Sequence, residues 1–141
     1  MLKKGMTALV TGGSGGIGSA VVKTLAARGV TVIAASNDDD KLKALEGIEN
    51  VETCLVDVRD FTKLKELFGG REIDAVINAA GVLGVTGTIY SVPHESAQEI
   101  LDVNVVGIHN VLSSVVPGMV ERNRGHIVNI GSLAGPYPSA G

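Results

Sequence analysis

The sequence is poor in cysteine, aromatic residues and net positive charge, and each shortage excludes a class of protein. Cys54 is the only cysteine among 141 residues, which rules out an internal disulfide framework and a multi-cysteine zinc site. Tryptophan is absent and aromatic residues make up 3% of the chain, so few platforms exist for stacking single-stranded bases. Because the net charge is −3 and the basic residues are scattered, we expect no nucleic-acid partner.

Long apolar runs are also missing. No uninterrupted run approaches the roughly eighteen residues of a membrane span, so we expect no membrane association. Lysine and glycine interrupt the first six residues, so no secretory leader is predicted. Together with the single cysteine, this favours a reducing cytoplasm. The three histidines have no Asp, Glu or Cys at ligand spacing, and we expect no metal.

Short runs of Val, Ile and Ala alternate with segments of helical periodicity along one domain spanning residues 1–141. The unbroken apolar character of these runs indicates strands covered on both faces, as in a parallel sheet. The pattern predicts an α/β fold, a Rossmann-like doubly wound parallel sheet. Strands are predicted at 6–10, 31–35, 51–56, 73–77 and 126–130, and helices at 16–27, 38–45, 62–68 and 94–122. Inside the last helix, Pro117 predicts a kink or an early end near Val116.

A glycine-rich segment, Thr11 to Gly18, follows the first predicted strand and opens the first predicted helix. Glycines let a pyrophosphate approach the backbone closely, and the helix N-terminus offers free N–H groups. The segment therefore predicts a nucleotide phosphate site. In a chain with 19 glycines, a tight strand-to-helix turn without a ligand is the alternative interpretation.

The same segment reads Thr-Gly-x-x-x-Gly-x-Gly, and four further motifs follow it in order. They are Asp57-Val58, the segment Asn-Ala-Ala-Gly at 78–81, Asn104 within Asp-Val-Asn-Val, and Ile-Val-Asn-Ile-Gly-Ser-Leu-Ala-Gly at 127–135. Together they resemble the short-chain dehydrogenase/reductase family, which implies NAD(P)-dependent hydride transfer on an alcohol or carbonyl compound. Residues 116–123 and the following serine segment are similar to members that act on 3-hydroxy acids such as serine and threonine.

The resemblance implies a cofactor site. Asp57 would accept a hydrogen bond from the adenine amino group, although it could instead cap the following turn, and the backbone of Val58 would face the adenine. The residues around the pyrophosphate and its ribose would be Gly12, Ser14, Gly16, Ile17 and Gly18. Near the cofactor ribose the chain would pass through Asn78, Ala79, Ala80 and Gly81.

The choice between NAD and NADP stays open at this point. An acid at the end of the second strand binds the ribose 2′-hydroxyl, whereas a base there receives a 2′-phosphate. The resemblance places Ser36 at the deciding position and Asn37 beside it, and neither is charged. The run of aspartates from Asp38 to Asp40 would repel a phosphate, but these residues also suit a helix N-terminus.

Two catalytic positions are implied, Ser132 on the substrate oxygen and Asn104 holding a water in the proton relay. The tyrosine and lysine that the family uses would fall beyond Gly141, and no lysine follows Lys65. The chain is thus expected to be an N-terminal portion, truncated after its fifth strand, without efficient turnover by itself. Neither Tyr90 nor Tyr137 is expected to substitute.

Two other functions stay open, a nucleotide-binding module without catalysis and one half of a two-chain enzyme. The oligomeric state stays open as well, with the long helix or the exposed edge of the fifth strand as the surfaces through which a homo-oligomer could form.

Overall fold

The apolar runs form one parallel sheet in the structure, a computed structural model that describes residues 2–133. Its strands lie in the order β3-β2-β1-β4-β5, and every neighbouring pair is parallel. The predicted α/β doubly wound fold is therefore confirmed, with strand ends displaced by at most two residues. The strands are β1 (Thr7–Thr11), β2 (Thr31–Ser36), β3 (Val51–Leu55), β4 (Ala75–Asn78) and β5 (His126–Asn129).

Helices connect successive strands, and acidic side chains define where two of them begin. Asp38 accepts a hydrogen bond from the backbone of Lys41, and Asp60 accepts one from that of Lys63. An N-terminal cap of this kind satisfies a backbone donor that the helix itself leaves free. The helices are α1 (Gly16–Ala26), α2 (Asp39–Lys43), α3 (Phe61–Phe68), α4 (His94–Leu101) and α5 (Gly107–Glu121), with a π-helical turn at Asp102–Val106 between the last two.

Alternate side chains of the central strand supply two separate cores, one on each face of the sheet. Leu9 belongs to a cluster that includes Phe68 of α3 and Val111 of α5. Val10 belongs to a second cluster that includes Val22 of α1. Because neighbouring residues of a strand point to opposite faces, this division shows that helices cover both sides of β1.

Coverage on both faces is limited to the three interior strands, β1, β2 and β4, whose residues are almost all buried. The prediction is wrong for the two strands at the sheet edges among the described residues. β3 is only partly buried, and each residue of β5 is exposed, including Ile127 and Val128. An apolar run therefore did not distinguish an interior strand from an edge strand.

Of the two outcomes predicted for Pro117, a kink or an early end near Val116, the early end is wrong, because α5 continues through Pro117 to Glu121. A proline inside a helix costs about 3 kcal/mol. Val115 and Met119 on either side of it are buried in the core, and burying each such side chain contributes about 1.5–3 kcal/mol. Packing thus offsets the cost of the proline, and the helix is interrupted earlier, at the π-helical turn.

The continuous helical segment His94–Glu121 is long and apolar enough to cross a bilayer by length and composition alone. Core helices of folded proteins meet the same criterion. Here Val103, Val111 and Val115 lie in the core cluster beside α3 and the sheet, so part of the apolar surface is used in packing.

Candidate functional site

A cleft opens at the carboxyl edge of the sheet, where the chain direction reverses. From β1 the chain runs outward to β2 and β3, and then returns to the other side of β1 as β4 and β5. The loops after β1 and β4 part at this point, which is where doubly wound folds bind ligands. The cleft has a volume of about 260 Å³, and nine predicted cofactor residues line it: Gly12, Ser14, Ser36, Asn37, Asp57, Val58, Ala79, Ala80 and Gly81.

Two glycines of the phosphate loop are required by internal packing. Gly12 has a φ of +61°, and a Cβ there would lie 2.7 Å from the backbone nitrogen of Ala80. A Cβ on Gly18 would lie 2.1 Å from the carbonyl oxygen of Gly12. The loop after β1 therefore contacts the loop after β4 and the first turn of α1 at distances that only glycine permits.

Gly16 and Ile17 face open space at the start of α1. A Cβ on Gly16 would meet no atom within 4 Å, and Ile17 is exposed. Among residues 2–133 no side chain caps this helix, and its first turn holds no acidic residue. The first-turn N–H groups of a helix lack partners within the helix, so this terminus suits an anion such as a pyrophosphate.

Ser14 and Ser36 join the phosphate loop to the end of β2. Their hydroxyl oxygens are 2.7 Å apart in a hydrogen bond, and the Ser36 hydroxyl also accepts the backbone N–H of Asp38 at 3.2 Å. Beside them, Asn37 donates from Nδ2 to the Asp57 carboxylate at 3.4 Å. Ser14 with Ser36 and Asn37 with Asp57 thus form two hydrogen-bonded pairs, which are adjacent because Asn37 follows Ser36 in the chain.

Asp57 is held by Arg59. Its carboxylate accepts the backbone N–H of Arg59 at 2.9 Å, Nε at 3.0 Å and Nη2 at 2.6 Å. The guanidinium group is the main cause that lowers the pKa of Asp57 from 3.8 to about 2. Asp57 also holds the following turn, as its alternative interpretation proposed, while Asp60 caps α3. Its carboxylate stays ionised and acts only as an acceptor at neutral pH.

The segment 78–81 is fixed from both neighbouring strands. Ala80 donates its backbone N–H to Thr11 Oγ1 at 3.3 Å. The side chain of Asn78 donates to Asn129 Oδ1 at 2.8 Å, whereas its own buried Oδ1 has no hydrogen-bond partner among the described residues. Asn78 is buried and is not among the residues that line the cleft, and its side chain joins β4 to β5.

Asn104 lies in the π-helical turn, and both polar atoms of its side chain bind the loop after β4. Its Oδ1 accepts the Val82 N–H and its Nδ2 donates to the Val82 carbonyl, each at 2.8 Å. These two bonds use half of the hydrogen-bonding capacity of the amide, and the backbone carbonyls of the turn are a further set of acceptors. A π-helical turn changes the pairing of such carbonyls, since its bonds span five residues rather than four.

Ser132 lies three residues after the end of β5 and is exposed. The strand that leads to it continues the sheet, because Ile130 donates its N–H to the Asn78 carbonyl. Ala134 and Gly135 of the serine motif, and Tyr137, lie outside the described residues.

Sequence reasoning missed several residues of this site. Lys41, Arg59 and Glu99 are charged residues that line the cleft. The backbone of Val82 forms two hydrogen bonds with the side chain of Asn104. The position of Lys41, three residues after a capping aspartate, was a usable signal because residues i and i+3 share one face of a helix. The partnership of Asn78 with Asn129 needed the register between β4 and β5, which the sequence did not supply.

Comparison with known proteins gives consistent matches. The family model described as short chain dehydrogenase matches residues 6–141. The NADP-dependent 3-hydroxy acid dehydrogenase YdfG of Salmonella typhi is 37% identical over 96% of this chain and 58% of its own length. The uncharacterized short-chain type dehydrogenase/reductase y4eK of Sinorhizobium fredii is 31% identical over 94% of this chain and 54% of its own length.

Solved structures show the same likeness. The serine dehydrogenase from Escherichia coli superposes with a TM-score of 0.89 at 34% identity, covering 96% of this chain and 66% of that one. The closed form of serine dehydrogenase complexed with NADP+ gives a TM-score of 0.91 at 33% identity, over 96% of this chain and 58% of that one. This chain thus spans about 58% of the length of the first curated relatives that it matches.

Proposed function

The chain belongs to the short-chain dehydrogenase family, and on that premise we propose that it forms the NAD(P)-binding part of an oxidoreductase acting on an alcohol or carbonyl compound. The observation that carries the proposal is the cleft at the reversal point of the sheet, with the uncapped start of α1 beside it. The relatives named above as NADP-dependent, or solved with NADP+, support the cofactor class.

In this proposal the described residues bind and orient a dinucleotide. The start of α1 and the loop before it hold the pyrophosphate, because uncapped N–H groups favour an anion. Asp57 accepts a hydrogen bond from the adenine, while Ala80 and Gly81 let the ribose approach the loop after β4. The bound nicotinamide would supply hydride chemistry, and Ser132 would hydrogen-bond the substrate oxygen.

We also propose that the whole protein acts on a small 3-hydroxy acid. The segment 116–123 and the serine motif resemble members of that class, and the relative from Salmonella typhi bears that name. The other two interpretations, a module without catalysis and half of a two-chain enzyme, have no particular residue of the structure in their favour.

Titration calorimetry tests cofactor binding directly. The purified 141-residue chain should bind NADP+ or NAD+ with one site per chain, and AMP more weakly, because AMP lacks the pyrophosphate. Absence of binding of both dinucleotides at millimolar concentration would contradict the proposal.

A separate assay addresses turnover. The same preparation is mixed with NADP+ and serine or 3-hydroxybutyrate, and the absorbance of reduced nicotinamide is followed. The sequence predicts no efficient turnover by this chain. Rapid, cofactor-dependent formation of reduced nicotinamide would overturn that prediction while supporting the proposed reaction.

A further inference from the structure

Another cavity lies at the opposite end of the sheet, where β1, β2 and β3 begin. Its volume is about 540 Å³, which is within the range of small-molecule sites. In the part of the chain that the structure describes, its charged lining consists of Lys4, Lys23, Arg28 and Glu49, and we call it the basic cavity. Because β1 has 5 residues, about 16 Å of strand separates the basic cavity from the cofactor cleft.

The three cations of the basic cavity are far apart in the sequence but close together in the fold. Lys4 precedes β1, Lys23 lies in the last turn of α1, and Arg28 follows that helix. All three are exposed, and none forms an ion pair with an Asp or Glu of residues 2–133, whereas six other Lys and Arg side chains there do. Glu49 likewise pairs with none of them. The lining thus has three positive charges and one negative charge, on a chain of net charge −3.

Hydrogen bonds and one close packing contact hold the walls of the basic cavity in place. Gly5 donates its backbone N–H to the carbonyl of Gly29 at 2.9 Å. Gly29 has a φ of +75°, and a Cβ there would lie 2.9 Å from Cγ of Lys4, so the aliphatic stem of this lysine lies against the glycine. From the loop before β3, Asn50 donates from Nδ2 to the carbonyl of Ala26 at 3.4 Å. The cavity is therefore formed before any ligand binds.

The carboxyl end of α1 gives part of the reason why cations gather here. A helix C-terminus carries a partial negative charge of about half a unit, which attracts Lys and Arg. Its carbonyls are engaged by the main chain, since Leu25 accepts the N–H groups of Arg28 and Val30 at 3.0 and 3.2 Å. About half a unit of charge, even with Glu49, does not balance three cations. An attraction for an external anion therefore remains.

We propose that the basic cavity binds a small molecule that carries a phosphate monoester. Such a group has a charge of about −1.5 to −2 at pH 7, which matches the positive charge left in the lining. The guanidinium group of Arg28 has a planar set of donors that fits phosphate oxygens, and the lysines add point charges. Ala27 and Ile48 offer apolar surface to the rest of the molecule. The site is separate from the cofactor cleft, so the inference does not depend on the proposed function.

Nuclear magnetic resonance of the isotope-labelled 141-residue chain can locate the binding. The probe is phenyl phosphate, and benzenesulfonate is its control because it has the same ring with a single negative charge. Phenyl phosphate should produce saturable shifts at the backbone amides of Arg28, Gly29, Glu49 and Asn50. Benzenesulfonate should bind about two- to fivefold more weakly, as expected for the loss of one exposed charge interaction. Absence of saturable shifts at these four amides, up to tens of millimolar phenyl phosphate, would overturn the inference.

Two double variants with the same change in net charge distinguish the basic cavity from a general attraction of anions. Lys23→Gln/Arg28→Gln removes two of its cations, whereas Lys43→Gln/Lys65→Gln removes two exposed lysines outside it, of which Lys65 also lies in the last turn of a helix. The first should weaken phenyl phosphate about five- to twentyfold, and the second less than about twofold. Because all four side chains are exposed, both variants should keep the melting temperature of wild type.

Two results of this comparison would contradict the inference. Equal weakening by the two double variants would show that phenyl phosphate responds only to the net charge of the chain. Shifts confined to the start of α1, reported by the amide of Gly16, would place the probe at the proposed pyrophosphate site instead. The shift map of the wild-type chain stands by itself, whatever the variants do to stability.

Discussion

Gly16 and Gly18 are two residues apart at the start of α1, yet alanine should affect them in different ways. A Cβ on Gly16 would meet no atom of the described residues within 4 Å, and in the proposed complex it would extend toward the pyrophosphate. A Cβ on Gly18 would collide with the carbonyl oxygen of Gly12 at 2.1 Å and with its carbonyl carbon at 2.8 Å. Gly16→Ala is therefore expected to disturb ligand binding, and Gly18→Ala to disturb folding.

The magnitudes follow from these distances. Because both atoms that Gly18→Ala would strike belong to the backbone, no side chain can rotate away, and we expect a loss of at least about 2–3 kcal/mol in the free energy of unfolding. Gly16→Ala should leave stability unchanged or raise it by up to about 1 kcal/mol, since alanine is the better helix former. In the ligand complex, displacing the phosphate should remove one or two charged hydrogen bonds, which corresponds to binding weaker by roughly ten- to a hundredfold.

Two measurements on the same preparations distinguish an effect on folding from an effect on ligand binding. Thermal unfolding without ligand should give a melting temperature within about 3 °C of wild type for Gly16→Ala, and lower by roughly 6–12 °C for Gly18→Ala. Calorimetric titration with NADP+ should then show weakened binding by Gly16→Ala, although that variant is fully folded. AMP should bind Gly16→Ala nearly as well as wild type, because it does not place a pyrophosphate on the helix.

One result would refute the reasoning. If Gly16→Ala bound NADP+ with the affinity of wild type, the start of α1 would not be the phosphate site. A wild-type melting temperature for Gly18→Ala would show that the loop can move away from the helix, contrary to the close contact described here.

Three further outcomes are expected. Asp57 has a pKa of about 2 in the folded chain against an ordinary 3.8, so its ion pair stabilises the fold above about pH 4 and this contribution is lost as pH falls through 2. The free energy of unfolding, measured with urea at pH 5 and at pH 2, should therefore fall less for Arg59→Ala than for wild type. The difference between the two decreases should be at most about 1 kcal/mol, because the pair is partly exposed. Val111→Ala in the core should cost about 2–3 kcal/mol of unfolding free energy, while Val120→Ala, at a side chain 70% exposed, should change it by less than about 0.5 kcal/mol. Asn104→Ala should cost about 1–3 kcal/mol in the same assay, because two backbone groups after β4 lose their partner.

The fold was largely predictable because local signals and global packing agree in most of the chain. Apolar runs located the strands, and the aspartates from Asp38 onward marked the beginning of one helix through ordinary capping chemistry. Where the prediction failed, tertiary packing overrode a local preference. Pro117 is tolerated inside α5 because its neighbours are buried, and nothing in the sequence near it carries that information.

The site was predictable where a motif holds its residues in one segment. Gly12 to Gly18 lie together in sequence as they do in space. The pairing of Asn78 with Asn129 and that of Asn104 with Val82 depend on strand register and on a helical irregularity, which a single sequence does not display. The aspartates that follow Ser36 can be read from the sequence. Their ion pairs, Asp38 with Lys41 and Asp39 with Lys43, cannot, because the pairing depends on the positions of the side chains in the folded chain.

The π-helical turn between α4 and α5 changes the angular phase of the helix that contains it. One residue beyond the usual repeat advances the following side chains by about 100° around the axis. No residue of α4 is buried, whereas α5 presents a buried stripe that includes Val111, Val115 and Met119. A single-residue deletion within Asp102–Val106 would restore a regular helix but rotate that stripe away from α3. The extra residue therefore sets the rotational alignment of α5 while it aims Asn104 at the loop after β4.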